Sequence, residues 1–254
     1  MRPGSLGSAA MLTQSKDFLS EQVSALLAPC WPKPDPAAVC AAMDEVFRQA
    51  DASWEARRRG VDYLRTAPVA ACASGCGWCC HQQLGVSVPE AVRLAAHVAS
   101  RPDAERQAFE HRLATTDQRT RGLTTLERAK ARVACAFLGV DGRCMVYAVR
   151  PLRCRGVYSI DRDFCIACYE DLDAMREKLK QGSLKAVFLD TPSRIYDSAL
   201  SGVIDVMHRH AVKAAVALEM VAAVHTLVRD PDLGRRWLAG RAPEASLHLK
   251  PEGP

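Results

Sequence analysis

Apolar residues recur at helical spacing through most of the chain. Ser15 to Ala28 has the pattern of an amphipathic helix, and Pro29-Cys30-Trp31-Pro32-Lys33-Pro34 ends it. Asp35 is predicted to cap a second helix, with Pro36 at its first position. This helix is expected to reach Leu64 and to bury one stripe of side chains, namely Val39, Met43, Val46, Phe47, Ala50, Trp54, Val61 and Leu64.

The same periodicity predicts helices in the later part of the chain. Ser87-Val88-Pro89-Glu90 has the spacing of a capping box, and it opens a predicted helix that continues through His97. Four more helices are predicted over Asp103–Arg121, Thr125–Val133, Asp171–Gln181 and Ser198–Val228.

The segment from Cys135 to Tyr147 has a different pattern. Short apolar runs flank Asp141-Gly142, a pair favoured in tight hairpin turns, so we expect a small β-ribbon that brings Cys135 near Cys144. Strands and helices do not alternate as a parallel sheet requires. The predicted fold class is therefore mainly α, a helical domain with a small β-hairpin and a cysteine-ligated metal or iron–sulfur centre.

The chain is expected to divide into five segments. With 254 residues, of which 48% are hydrophobic, it can bury a core without a disulfide framework. The expected segments are a flexible N-terminus (1–14), N-terminal helices (15–69), a cysteine-cluster metal-binding module (70–170), C-terminal helices that pack on the module (171–230) and a flexible tail (231–254).

Composition and charge limit the cellular compartments and the partner classes that we expect for this protein. The cysteine count of eleven is odd, and residues 1–10 lack a secretory signal, so we expect a cytoplasmic protein with reduced thiols. Lys213, Glu219 and His225 interrupt the most apolar late stretch, which argues against a membrane span. The net charge of +5 is spread out and aromatic residues are 6%, so nucleic acid is not an expected partner. The partner is an unknown protein or small molecule.

A dense run of cysteines is the main functional signal. Cys72, Cys76, Cys79 and Cys80 lie within nine residues, where Gly75 and Gly77 let backbone N–H groups approach the sulfurs. Soft thiolates at this density indicate a metal or an iron–sulfur cluster. The ligand set is completed by five later cysteines, which are Cys135, Cys144, Cys154, Cys165 and Cys168.

The spacing favours an iron–sulfur cluster and leaves zinc as the alternative. Cys72-x3-Cys76-x2-Cys79 fits three corners of a [4Fe-4S] cluster, and Cys154 is the first choice for the fourth. Zinc accepts the same thiolate ligands. Adjacent Cys79 and Cys80 do not easily bind one small ion with relaxed geometry, so one of them serves a second metal or stays outside the ligand shell. Nine cysteines suffice for two four-thiolate sites.

Charged and aromatic residues near these cysteines have two interpretations each. Arg150, Arg153 and Arg155 are expected to contact the bound centre, offset the thiolate charge and donate N–H···S bonds; otherwise they are ordinary surface arginines. Trp78 shields the centre or packs on the following helix. His81 is expected to lie beyond the ligand shell rather than to bind metal. Two cysteines outside the cluster, Cys30 and Cys40, are expected to be packing thiols.

Several motifs in one order make a family resemblance specific. They are Cys72-x3-Cys76-x2-Cys79-Cys80, Val86–Ala91, Cys135, Asp141–Tyr147 and Arg150–Arg155. Over roughly residues 70–170 the chain resembles the CxxCxxCC cysteine-cluster family, the YkgJ-like proteins described as zinc- or iron-chelating. The resemblance implies metal or iron–sulfur binding by Cys72, Cys76, Cys79, Cys80, Cys135, Cys144 and Cys154. Flagellin lysine N-methylase, an S-adenosylmethionine-dependent enzyme, is a distant relative whose sequence around the module is different and longer.

Three function classes follow. We expect a metal-binding protein with a redox, sensory or electron-transfer role; the alternatives are a structural-zinc interaction module and a protein methyltransferase-like enzyme that uses S-adenosylmethionine. Cys72-x3-Cys76-x2-Cys79 also imitates the radical S-adenosylmethionine triplet, but that triplet should precede a strand–helix barrel and this chain turns helical. The sequence lacks a phosphate loop and a dinucleotide fingerprint, and it leaves open whether the protein is an enzyme.

Overall fold

The structure is a computed structural model that describes residues 18–31, 33–184 and 187–252. The expected flexible segment 1–14 lies outside these residues. Helix α1 occupies residues 18–27 within the described range. The other α-helices are α2 Pro36–Arg58, α3 Val61–Thr66, α4 Val88–Ala99, α5 Asp103–Thr120, α6 Thr125–Lys130, α7 Leu152–Gly156, α8 Arg162–Glu170, α9 Leu172–Lys180, α10 Asp190–His210, α11 Met220–Arg229 and α12 Asp232–Leu238.

The remaining regular structure is short. Strand β1, Gly85–Val86, pairs antiparallel with β2, Leu218–Glu219, so the predicted class of a mainly α protein with a small antiparallel β element is confirmed. The ribbon predicted around Asp141-Gly142 is reduced to one antiparallel bridge, between Leu138 and Cys144. Single-turn 3-10 helices occupy Ala28–Cys30, Trp78–His81, Tyr147–Val149, Val212–Ala214 and Ala245–Leu247.

The hydrophobic core lies between the long helices. Helix α4 packs on α2 and α11, and α10 packs on α2 and α7. Two predicted caps fix where these helices begin: the Asp35 carboxylate accepts the Ala38 N–H at 3.0 Å, and Ser87 and Glu90 form the capping box of α4. The apolar stripe of α2 is buried from Val39 to Trp54, as its periodicity predicts.

The predicted stripe does not continue to Leu64. Helix α2 ends at Arg58, and Gly60 adopts an extended conformation that starts α3 in a new direction. Val61 and Leu64 are consequently 77% and 69% exposed. The apolar positions of the two helices follow one continuous repeat, so the sequence alone predicts a single helix.

The predicted helix over Ser198–Val228 is also two helices. Ala211 leaves the helical conformation, and the chain passes through a 3-10 turn and β2 before α11 begins. The Glu219 carboxylate caps the new helix by accepting the Ala222 N–H at 2.7 Å. In the described part of the chain, each helix is too short or too polar to cross a membrane.

The expectation of a flexible tail over 231–254 differs from the structure, which describes this segment as far as residue 252. Trp237 and Leu238 of α12 are fully buried, and the Leu238 carbonyl accepts the Trp31 indole N–H at 3.0 Å. The Leu249 N–H donates to the Ala217 carbonyl at 2.9 Å. Scattered glycines and prolines suggest disorder here, but the apolar residues between them are enough to hold the segment against the core.

Candidate metal centre

The first cysteine run lies on a loop that touches a second cysteine-bearing loop. Trp78–His81 form a 3-10 turn in which the Cys80 N–H donates to the Gly77 carbonyl at 3.0 Å. Gly75 and Gly142 have φ angles of 87° and 75°, and a Cβ on Gly142 would collide with the Gly75 carbonyl. Both positions require glycine, because a side chain would force the two backbones apart.

The second loop is tied to the first by its backbone. The Cys135 N–H donates to the Cys80 carbonyl at 2.7 Å, and the bridge between Leu138 and Cys144 folds the loop back on itself. Arg112 of α5 donates to the Leu138 carbonyl. Cys135 and Cys144 therefore lie on one folded loop whose backbone is hydrogen-bonded to Cys80.

Cys154 is presented by the short helix α7. The buried Glu90 carboxylate accepts the Leu152 N–H at 2.9 Å, which joins α7 to the start of α4. Arg155 is also buried and donates to the Asp51 carboxylate of α2 at 2.6 Å. These charged side chains fix α7, which carries Cys154, to α4 and α2.

Ser159 connects the first loop to Cys165. Its N–H donates to the Cys72 sulfur at 3.2 Å, and its carbonyl accepts the Ala71 N–H at 2.8 Å. The Ser159 side chain is also hydrogen-bonded with the Cys165 thiol. Helix α8, which carries Cys165, begins about one turn before this cysteine, where the Asp161 carboxylate accepts the N–H of Phe164 at 3.0 Å. Cys72 and Cys165 thus share a buried partner.

The clustered cysteines fall into two groups according to which thiolate charges act on which thiols. Besides burial, thiolate charges of the same group raise the pKa of Cys72 and Cys165 in one group and of Cys80, Cys135 and Cys154 in the other, and the Cys79 charge acts in both groups. Burial and the charge of Cys165 raise the pKa of Cys168. The outer group is Cys72, Cys76 and Cys165. The inner group is Cys80, Cys135, Cys144 and Cys154.

The donor chemistry fits a thiophilic metal, although the thiols are not yet in ligand geometry. Among the described residues, no three Cys, His, Asp or Glu side chains stand in an arrangement that holds a metal ion. All eleven cysteines are free thiols. Four or more thiolates on converging loops suit zinc or an iron–sulfur cluster.

The same region carries the family match. Residues 71–180 match the sequence model of CxxCxxCC, described as "Putative zinc- or iron-chelating domain". Residues 71–180 are therefore similar to the CxxCxxCC family, and we call this matched segment the CxxCxxCC domain. No curated protein and no solved structure matches the chain. The match supports metal binding by this domain, and it extends beyond the last cysteine to include α9.

Proton affinities within the CxxCxxCC domain differ between neighbouring thiols. A hydrogen bond from the Cys80 thiol lowers the pKa of Cys79 to about 7, and the same contact raises the pKa of Cys80. Burial raises the pKa of Cys135 to about 12 and also raises that of Cys154. A bound cation would remove the penalty for ionising these buried thiols, so metal binding and proton release are coupled here.

The three predicted arginines have different surroundings. Arg150 stacks over the Tyr147 ring at 4.1 Å. Its charge adds to the Cys80 hydrogen bond in lowering the pKa of Cys79, and it partly offsets the burial that raises the pKa of Cys144 and Cys154. Arg155 instead uses its guanidinium to hold backbone carbonyls and α2. Arg153 is exposed. Arg150 is therefore the predicted arginine whose charge acts on the most thiols.

Arg128 is a neighbour of the site that sequence reasoning misses. It is 1% exposed and donates to the carbonyl groups of His81 and Val133. Its charge partly offsets the burial that raises the pKa of Cys135. The charged sequence of α6 resembles a solvated helix, so it gives no signal that one arginine points inward. Glu90, by contrast, is detectable from its capping box.

Aromatic rings flank the 3-10 turn of the CxxCxxCC domain. Tyr169 lies 5.3 Å from Trp78 and 4.7 Å from His81 between ring centroids. His81 Nδ1 faces the Trp78 carbonyl at 3.4 Å, and burial lowers the pKa of this histidine. Trp78 packs on Tyr169 of α8. The two remaining cysteines, Cys30 and Cys40, pack against the hydrophobic core.

Proposed function

We propose that the CxxCxxCC domain binds a [4Fe-4S] cluster through Cys72, Cys76 and Cys79 and that this cluster has a redox, sensory or electron-transfer role. The observation that carries the proposal is the three-thiol loop itself, whose spacing suits three corners of a cluster. Cys72 and Cys79 are exposed, so a centre bound here would exchange electrons with the surface over a short distance.

Cys165 is the best candidate for the fourth ligand. The sequence favours Cys154 for this place, but the charges that act most on Cys154 come from the inner group and Cys79. Cys165 and Cys72 have Ser159 as a common hydrogen-bond partner, and the charges of Cys76 and Cys79 contribute to raising the pKa of Cys165. The N–H of Ser159 would donate to a ligand sulfur, an interaction that stabilises the reduced, more negative state of iron–sulfur clusters.

A structural-zinc interaction module is the second candidate. It is favoured by apolar side chains that stand exposed beside the cysteine loops, including Val69, Val140 and Tyr147. The radical S-adenosylmethionine alternative needs a barrel, whereas the strands in the described residues are two dipeptides. The methyltransferase-like alternative gains no specific support from the described residues.

Anaerobic purification tests the cluster. The protein should be brown, contain iron and sulfide in comparable amounts, and bleach with dithionite or air. Colourless protein with stoichiometric zinc would refute the iron–sulfur cluster and favour the zinc module. Protein that retains neither metal after purification and anaerobic reconstitution would refute metal binding altogether.

Single substitutions test the ligands. Cys72→Ser, Cys76→Ser, Cys79→Ser and Cys165→Ser should each lose most of the iron and sulfide, because each removes a metal bond. Cys30→Ser is the matched control, since Cys30 is a partly buried thiol outside the domain and should leave iron content unchanged. Iron retention by Cys165→Ser together with loss by Cys154→Ser would favour the ligand set that spacing alone suggests.

A further inference from the structure

Helix α3 presents its aliphatic side chains to solvent. Val61 and Leu64 are 77% and 69% exposed, and Val69, just beyond the helix, is 87% exposed. Positions i and i+3 are neighbours on a helix surface, so Val61 and Leu64 form one contact face. Single exposed aliphatic residues are common in folded proteins, but three within nine residues are not a scattered set. This face is therefore a candidate for contact with another molecule.

The other side of α3 holds the helix in this orientation. The Tyr63 ring packs edge-on against Trp54 of α2, with ring centroids 5.5 Å apart. Gly60 supplies the extended backbone that turns α3 away from α2. The Thr66 hydroxyl donates to the Asp62 carbonyl at 2.7 Å and closes the last turn. The exposed aliphatic face thus belongs to an anchored helix and not to a frayed end.

Further apolar residues are exposed on a segment that adjoins this helix. The Ala71 N–H donates to the Ser159 carbonyl at 2.8 Å, so the chain after α3 runs beside the segment that contains Val157 and Ile160. An antiparallel bridge joins Ser159 to Phe188. Val157, Ile160 and Phe188 are all at least 37% exposed. The name α3 surface is used below for these three residues together with Val61, Leu64 and Val69.

The charge beside the α3 surface is positive. The chain from residue 55 to residue 72 has four arginines and two carboxylates, so its net charge is +2. Three of the arginines lie in ion pairs with those carboxylates. The fourth, Arg57, has no ion-pair partner in the described part of the chain, and its guanidinium lies 5.8 Å from the centroid of the Tyr63 ring. A complementary partner would therefore present carboxylates around an apolar centre.

These proportions fit a protein partner better than a membrane. Segments that bind anionic lipids by charge carry clusters of about four to eight Lys or Arg residues. Beside the α3 surface, within the described residues, only Arg57 lacks an ion-pair partner. Protein interfaces instead combine an apolar centre with a polar rim, and arginine and aromatic residues are enriched in them. Arg57 over the Tyr63 ring, beside exposed aliphatic side chains, has this composition.

We propose that the α3 surface is the docking site of an acidic protein, whose carboxylates approach Arg57 and whose apolar side chains cover Val61 and Leu64. Docking would remove aliphatic area from water and would pair the guanidinium charge. Cys72 is exposed and directly follows Ala71, so the docked protein would lie beside the first cysteine run. The α3 surface itself does not depend on which metal those cysteines bind.

A pair of synthetic peptides tests the chemistry of the α3 surface. The probe is a fluorescein-labelled helical peptide with leucines on one face and glutamates on its flanks, and its control has lysines in place of the glutamates. Full-length protein should bind the glutamate peptide at least about tenfold more tightly, as measured by fluorescence anisotropy. The difference should shrink as salt is added, because exposed charges are screened. Equal affinity for the two peptides would overturn the proposal.

Substitutions locate the binding site. The double variant Val61→Ser/Leu64→Ser and the single variant Arg57→Glu should each weaken binding of the glutamate peptide by about tenfold. The matched controls are Leu179→Ser on α9 and Arg241→Glu in the C-terminal segment, both at exposed positions, and they should bind as the parent does. Circular dichroism should show the helix content of the parent in every variant. Unchanged affinity in either surface variant would contradict the proposal.

Three other occupants of the α3 surface would give different results, and each would overturn the proposal. Sedimentation with phosphatidylserine vesicles that is lost in Val61→Ser/Leu64→Ser would assign the surface to a membrane. A dimer by light scattering that dissociates in the same variant would assign it to a second copy of the chain. A carbodiimide cross-link within one chain between Lys16 and Asp62 would assign it to the N-terminal segment.

The peptide measurement also separates this proposal from the function proposed above. Brown protein that binds neither peptide would refute the docking site and leave the cluster standing. Colourless protein that prefers the glutamate peptide would refute the cluster and support the docking site.

Discussion

The helical core and the cysteine loops are held together by different means. Helices α2, α4, α10 and α11 bury continuous apolar stripes, whereas no residue from 55 to 85 is buried. The first cysteine loop is attached instead by backbone hydrogen bonds, by Ser159 and by its thiols. Hydrophobic burial therefore explains one region and leaves the other dependent on bonds between loops.

Metal removal should expose this difference most strongly. After chelation under reducing conditions, amide protection in residues 71–85 and 134–168 should fall by about a thousandfold, because metal binding supplies much of the folding free energy of small metal sites. Protection in α4 and α10 should stay nearly unchanged. Hydrogen exchange of the two forms measures this, and uniform loss over the whole chain would mean one cooperative unit.

A core substitution should have the opposite pattern. Leu94 is fully buried in α4, so Leu94→Ala should lower the free energy of unfolding by about 3 kcal/mol. The folded variant should bind as much metal as the parent. Urea denaturation and metal analysis measure the two effects, and Leu179→Ala on the surface of α9 is the control, with an expected loss of about 0.5 kcal/mol or less. Reduced metal content in folded Leu94→Ala would contradict the separation.

Substitution of Asp51 tests the contact between the helical core and the helix that carries Cys154. Its carboxylate accepts from Arg155 of α7 at 2.6 Å and from the Tyr196 hydroxyl of α10 at 2.8 Å. Asp51→Asn removes the charge that balances a buried guanidinium, so we expect a loss of about 2 kcal/mol by urea denaturation. Tyr196→Phe removes a neutral donor, and its loss should be about 1 kcal/mol. Equal losses would show that the charge contributes nothing extra.

Cys40 provides a test that concerns the core alone. Burial raises its pKa from 9.0 to about 11 in the folded protein. The folded chain therefore holds this proton more tightly, and the resulting stabilisation is complete below pH 9 and is lost as the pH rises towards 11. Cys40→Ala should lose less stability than the parent over this interval, as measured by urea midpoints. An identical pH dependence would assign the alkaline loss to other groups.

The sequence predicts the core better than it predicts the cysteine site. Caps at Asp35 and Ser87 follow local rules that need no knowledge of the rest of the fold, and both are present. Periodicity fails at Gly60 and Ala211, because two helices whose stripes are in phase look like one. Hydrophobic spacing therefore shows which residues are buried more reliably than it shows where the chain turns.

Grouping of the cysteines depends on contacts between distant segments. The sequence identifies the dense run and the later thiols, but which of them meet is decided by Ser159, by α7 and by the turn that contains Cys144. These contacts leave no periodic signal. Arg128 is hidden for the same reason, since an inward arginine on a charged helix has the same sequence pattern as an exposed one.

The contact between Gly75 and Gly142 determines how well these two positions tolerate mutation. Every missense change in either glycine codon adds a side chain where backbones meet and where φ is positive. In a library of random mutants, these two codons should therefore be as intolerant as those of the cysteines, although neither residue offers a functional group. A screen that scored only chemically reactive residues would overlook them, while one that scored survival would place them beside the thiols.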